Sequence, residues 1–266
     1  MNVTAVVAGK VLEYKLEITH LVTVGCSFTY CQGIPVDQGW PALLSKSLDC
    51  PLVNLGLPGI GNDAIHRKLY EYIYNNSLVE DSKPLVVIAW SQPWRRESWV
   101  AVHNDDANFQ NYAPIAMPHD VPITHQEYVL LENWNDEDFY RKTLLNKLSV
   151  INLLDKFNIP YIMTDAMPQD DALNENVFDK FPGLTTHVGT EYYVEPIYKI
   201  EQNDYLPCGH SGPMGNLSVK EHLLKSIYQL HPNLSFVKDK KFLTLSEYII
   251  WDKYHQKFPE WCTFQL

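Results

Sequence analysis

The run Pro84-Leu-Val-Val-Ile-Ala-Trp90 carries no charge and no polar side chain on either of its alternating faces, and it constrains the fold more than any other stretch. A strand that is apolar on both faces suits the middle of a parallel sheet covered by helices on each side. Three further short strands fit beside it. His20-Leu-Val-Thr-Val-Gly25 is β-branched and stops abruptly at glycine, Pro51-Leu-Val-Asn-Leu-Gly56 breaks into a glycine-rich turn, and Ile159-Pro-Tyr-Ile-Met-Thr follows a long helical pattern. Between them lie segments of helical period: residues 40, 43, 44 and 48 on one face, then Ile65, Leu69 and Ile73 after Asn62, read as a cap. Later segments carry Phe139, Leu144, Leu145, Leu148, Ile151 and Leu154, and finally Val219, Leu223, Leu224 and Ile227. Strand and helix in alternation predict a three-layer α/β/α fold with a flavodoxin-like parallel sheet.

Two stretches break the pattern. Residues of about 97–134 and 166–206 lose periodicity and are rich in polar and aromatic side chains, so they read as insertions into one domain spanning 1–266. The tail of about 240–266 reads as a C-terminal extension, and no internal repeat or linker divides the chain.

Composition excludes several classes of function. A formal charge of -11 and a pI near 5.3 repel phosphate backbones and anionic lipid, so neither nucleic acid nor membrane is an expected partner. No basic start precedes an apolar run, and no stretch of about eighteen apolar residues occurs, so neither a signal peptide nor a membrane span is read and a cytoplasmic location is expected. The five cysteines, at 26, 31, 50, 208 and 262, are odd in number and lack paired spacing, which argues against a disulfide framework and for a reducing compartment. Neither Cys26 with Cys31 nor Cys208 with His210 has zinc-site spacing, and no metal or other cofactor is expected. The sequence does not fix an oligomeric state.

In a parallel α/β sheet ligands gather at the carboxyl ends of the strands, where Ser27, Gly59, the Trp90-Ser91-Gln92 segment and Asp165 all fall. A serine on a sharp strand-to-helix turn is exposed, and its own N–H lies where a substrate oxyanion forms.

Several blocks resemble, in chain order, those of the SGNH (GDSL-like) hydrolase superfamily. Gly25-Cys-Ser-Phe-Thr29 is similar to its first block, Gly-Asp-Ser, which implies Ser27 as nucleophile. Asn54-Leu-Gly-Leu-Pro-Gly59 is similar to its second, which implies an oxyanion-binding N–H at Gly59. His210-Ser-Gly-Pro-Met-Gly215-Asn resembles its last, which implies His210 as general base, with Asn216 where a second histidine is common. Two departures stand out. Trp90-Ser91-Gln92-Pro93 replaces the third block, leaving Gln92 or Ser91 to complete the oxyanion hole. Pro207 occupies the usual place of the acid, so the group that orients His210 is open among a carbonyl near Leu206 or Pro207, Asp204 and Asp165.

The resemblance implies hydrolysis of a small-molecule or carbohydrate ester without a cofactor. Cys26, in place of the usual acid, reads as buried filling. Trp90, Trp94 and Arg95 are substrate-binding candidates, and Arg95 with Arg96 suits a carboxylate or sulfate. Trp99, Tyr112, Trp134, Tyr192 and Tyr193, in or beside the insertions, tilt the substrate towards a sugar O-acetyl ester. Two other readings compete: an inactive binding or structural descendant of the same fold, and a phosphate-binding protein that uses Gly56 to Gly61 as an anion cradle. The cradle lacks the Lys-Ser/Thr ending of a phosphate loop.

Overall fold

The computed structural model describes residues 5–7, 10–12, 16–76, 82–99, 112–115, 135–168, 192–200 and 204–236. In chain order the elements are β1 (Ala5–Val7), β2 (Lys10–Leu12), β3 (Leu16–Ile18), β4 (His20–Gly25), α1 (Ser27–Tyr30), α2 (Trp40–Leu48), β5 (Leu52–Asn54) and α3 (Asn62–Asn76). They continue with β6 (Pro84–Trp90), β7 (Arg96–Trp99), β8 (Tyr112–Ile115), α4 (Asp136–Lys156), β9 (Tyr161–Asp165), α5 (Ile197–Ile200), α6 (Pro213–Leu230) and β10 (Leu234–Phe236).

The central sheet has the order β5-β4-β6-β9, and every pairing in it is parallel. Every residue of β4, β6 and β9 is buried, as strands covered on both faces must be. Helix α2 packs on α6 and α3 on α4, which supplies the two helical layers. The fold class is therefore the one that the strand pattern predicts. Register within the sheet places Gly25 opposite Ala89 and Trp90 opposite Asp165, so the carboxyl ends of β4, β6 and β9 form one rim.

Local chemistry explains the turns on that rim. A Cβ at Gly25 would lie 2.1 Å from Thr29 Oγ1 and 2.7 Å from the Ala89 carbonyl, so only glycine lets the chain fold back from β4 into α1. Helix α4 begins where Asn135 accepts a hydrogen bond from the Asp138 N–H. Two features are additional to the sequence reading. The first insertion contributes an antiparallel hairpin, β7 with β8, and β10 pairs in parallel with β3 outside the main sheet. The tail of about 240–266 and most of both insertions lie outside the described residues. Among the described residues, no helix is long and apolar enough to cross a membrane.

The opposite end of the sheet holds a buried polar cluster. His20 contacts Thr19 Oγ1 at 2.7 Å through Nδ1 and Tyr72 Oη at 2.6 Å through Nε2. Burial lowers its pKa from 6.5 to about 4. Because the unfolded chain binds this proton more readily, stability is complete above about pH 6.5 and is lost as pH falls towards 4. At roughly 1.4 kcal/mol per decade of proton affinity, the loss from this side chain is about 3 kcal/mol. Urea unfolding at pH 7.5 and pH 4.5 is expected to show it, and His20→Gln is expected to flatten that interval. An equal pH dependence in the variant would remove His20 as the cause.

Candidate active site

Ser27 opens the one-turn helix α1 directly after β4, with Cys26 in extended conformation at the N-cap. Contrary to the exposure expected of a serine on such a turn, Ser27 is buried, with 4% of its surface exposed, and its hydroxyl makes no hydrogen bond among the described residues. The turn is held by Asn54, whose side chain donates to the Thr29 carbonyl at 2.9 Å and accepts from Thr23 Oγ1 at 3.0 Å and Gly56 N–H at 2.9 Å. Cys26, beside the nucleophile candidate, is wholly buried and free.

His210 sits near the tip of a tight loop between Tyr205 and Ser211. The Leu206 N–H donates to the His210 carbonyl at 2.7 Å, and the Gly209 N–H to the Leu206 carbonyl at 2.8 Å. Gly209 adopts φ +77°, which a side chain would disfavour. The imidazole packs against Phe28, with ring centroids 5.0 Å apart. The loop also approaches the turn after α1, because a Cβ on Gly33 would meet Leu206 Cδ1 at 2.8 Å and Cys208 Sγ at 3.3 Å. Serine and histidine candidates therefore occupy the same corner of the molecule, although no hydrogen bond joins Ser27 Oγ to the imidazole. Catalytic hydrogen bonds of this kind often tighten only when substrate is bound.

Burial, and then the charge of Arg95, lower the pKa of His210, while the Cys208 carbonyl pulls the other way. Nδ1 is enclosed and makes no hydrogen bond among the described residues. The imidazole is consequently neutral at pH 7, the form a general base requires.

The two carboxylates considered as its orienting partner are committed elsewhere. Asp204 Oδ2 accepts from the Gly215 N–H at 2.7 Å, and its carbonyl accepts from Gly212 N–H at 2.6 Å, so Asp204 caps the start of α6. Gly212 leaves room for that carboxylate, since a Cβ there would lie 2.6 Å from both of its oxygens. Asp165 accepts from Lys147 Nζ at 3.3 Å and from Tyr193 Oη, inside a nearly closed cluster in which Lys147 also donates to Tyr193 at 2.8 Å. Burial and the Asp165 charge raise the Tyr193 pKa well above 10, which keeps that phenol neutral and donating. The Cys208 carbonyl, one residue beyond Pro207, favours the protonated imidazole but forms no hydrogen bond with Nδ1, so among the described residues no acceptor orients the ring.

On the oxyanion side, Gly59 has φ +75° and lies in the turn that follows β5. Ser91 is wholly buried, and its backbone is clamped from both sides by Asn62, which accepts from the Ser91 N–H at 2.8 Å and donates to its carbonyl at 3.0 Å. Gln92 is half-buried, so of the pair it is Gln92 that retains surface on the rim. Asn62, expected as a helix cap, is instead the first residue of α3, and by also donating to Thr143 Oγ1 at 3.1 Å its side chain ties two elements to the rim.

Trp90, expected to bind substrate, is 0% exposed, and its ring lies 5.9 Å from the Lys147 ammonium. As the last residue of a strand covered on both faces, it belongs to the core and cannot line an open pocket. Trp94 and Arg95 are half-buried in the turn that follows it. Tyr192 stacks on His231 with planes 3° apart, and Tyr193 is held by Asp165, so both tyrosines have packing roles. Trp134 and the residues that link β7 to β8 fall outside the described residues, and nothing is shown of the Trp99 and Tyr112 side chains.

Sequence reasoning missed Asn216. Its side chain accepts from the Trp40 N–H at 3.0 Å and from Cys31 Sγ at 3.8 Å, and it donates to the Ser211 and Gly212 carbonyls at 3.1 and 3.0 Å. One amide therefore fastens the His210 loop to the segment that begins at Ser27. The only local signal was an asparagine where the SGNH pattern commonly has histidine.

The rim, the strand order and the helical layers together define a three-layer α/β/α fold. No family model matches the sequence, and no curated protein sequence matches it either. Among solved structures, the psychrotrophic esterase EstA from Pseudoalteromonas sp. is similar in fold, with a TM-score of 0.50 at 10% identity over 79% of this chain and 97% of that one. TesA gives a TM-score of 0.49 at 15% identity, covering 80% and 99% of the two chains. A family two carbohydrate esterase from Clostridium thermocellum gives 0.48 at 13% identity, covering 85% and 68%.

Proposed function

We propose that this protein is a serine ester hydrolase in which Ser27 and His210 act as a dyad. The observation that carries the reading is the contact of the His210 ring with Phe28, immediately beside Ser27, at the carboxyl end of the central strand β4. Ser27 Oγ attacks the ester carbonyl carbon as His210 removes its proton. The Ser27 and Gly59 N–H groups, with the Gln92 side-chain amide, stabilise the tetrahedral oxyanion. The alcohol leaves with the proton from His210, and water activated by the same imidazole then releases the carboxylate product and regenerates Ser27. The low proton affinity of His210 favours this role, because its free base predominates at neutral pH. Phe28 positions the ring by packing against it, without a carboxylate partner.

A fluorophosphonate probe tests the proposal directly. A single adduct is expected, located on Ser27 by peptide mass spectrometry, with labelling slowed in His210→Ala. If the wild-type protein stays unlabelled where a known serine esterase reacts, the hydrolase reading fails and a binding protein on the same fold replaces it.

A further inference from the structure

Arg95 lies five residues beyond the end of β6, on the rim that carries Ser27, and its backbone N–H closes a turn onto the Gln92 carbonyl at 3.2 Å. Its Nη1 is enclosed by protein and makes no hydrogen bond, and no ion pair of Arg95 occurs among the described residues. That is unusual in a chain where acidic residues outnumber basic ones by 32 to 21. An enclosed Nη1 donor without an acceptor is costly, and a ligand that supplies the acceptor removes that cost. The charge of Arg95 also disfavours the imidazolium of His210.

We propose that the ester hydrolysed at Ser27 carries an anionic group, a carboxylate, sulfate or phosphate, which Arg95 binds beside the scissile bond. The proposal rests on the hydrolase reading and extends it to a substrate class. A planar guanidinium matches such oxyanions with two parallel N–H donors. Pairing also has a mechanistic consequence. Once the substrate's charge offsets that of Arg95, the imidazolium that forms during attack is no longer opposed, so the anionic substrate itself helps His210 accept the proton.

Two pairs of esters, each differing in one charge, test this. In para-acetoxybenzoate against para-acetoxybenzamide the anion lies on the alcohol side. In mono-para-nitrophenyl suberate against its methyl ester it lies on the acyl side. The wild type is expected to prefer the anionic member in at least one pair, by about tenfold in kcat/KM. Arg95→Met is expected to bring that ratio near one, and Arg95→Lys to keep part of it. Equal ratios in the wild type and Arg95→Met, or no preference in either pair, would overturn the proposal. Titration of the same anionic and neutral compounds into Ser27→Ala, with and without Arg95→Met, reads the site without turnover. Loss of labelling at Ser27 would therefore sink the hydrolase reading, whereas intact labelling with no Arg95-dependent anion binding would sink only this inference.

Discussion

Ser27→Ala is expected to lower ester hydrolysis by about ten-thousand-fold or more while leaving the fold intact. Removing the nucleophile of a covalent mechanism leaves only what oxyanion donors and binding contribute, so the loss is far larger than that of a positioning residue. The fold is expected to survive because the Ser27 hydroxyl makes no hydrogen bond among the described residues. The turn instead depends on Asn54 and on the close approach of Gly25 to Thr29. Initial rates with a para-nitrophenyl acetate series, beside thermal melts of both proteins, measure the two halves of this expectation. A melting temperature within a degree or two of wild type, with activity reduced less than tenfold, would refute the role of Ser27. The pH profile supplies an independent check. The acid limb of kcat/KM is expected below the ordinary histidine range, because burial and then Arg95 both resist protonation of His210.

What the sequence reveals and what it hides follow from whether the information is local. Strand β6 was legible because burial on both faces leaves an unbroken apolar run, β4 because its β-branched run stops at a glycine, and α4 because its apolar period runs from Phe139 to Leu154. The candidate nucleophile and the loop histidine were legible as short motifs tied to a strand end and a glycine turn. The partners of the carboxylates were not. Asp165 and Asp204 both lie at plausible distances along the chain from His210, yet one is claimed by a lysine from α4 and the other by the first turn of α6. Nothing in the spacing of either aspartate announces those partners. The amides of Asn62 and Asn216 are the same kind of case. Each joins segments far apart in sequence, and each reads locally as a cap or as a substituted motif position. Trp90 misled for a related reason. It is the last residue of its strand, and only the packing of α4 above it shows that the core continues to that point.

The Asp165 cluster also sets the largest stability effect expected outside the catalytic residues. Asp165→Ala is expected to destabilise the protein by about 3–5 kcal/mol, because it strands the Lys147 ammonium in a nearly closed environment where the side chains of Lys147 and Asp165 are only 10% and 12% exposed. Lys147→Met should cost a comparable amount by leaving the carboxylate with one neutral donor, Tyr193. Replacing both, as Lys147→Met with Asp165→Leu, should recover most of the loss, since a buried ion pair contributes little net stability over well-packed apolar residues. Urea unfolding of the two single variants and the double variant forms a cycle whose coupling term isolates the pair. Additive losses in that cycle would mean that the two charges are solvated independently. Because Asp165 stands opposite Trp90 at the end of β6, the single variants are also expected to slow hydrolysis through displacement of Gln92, whereas the double variant, with the rim repacked, should restore the rate along with the stability.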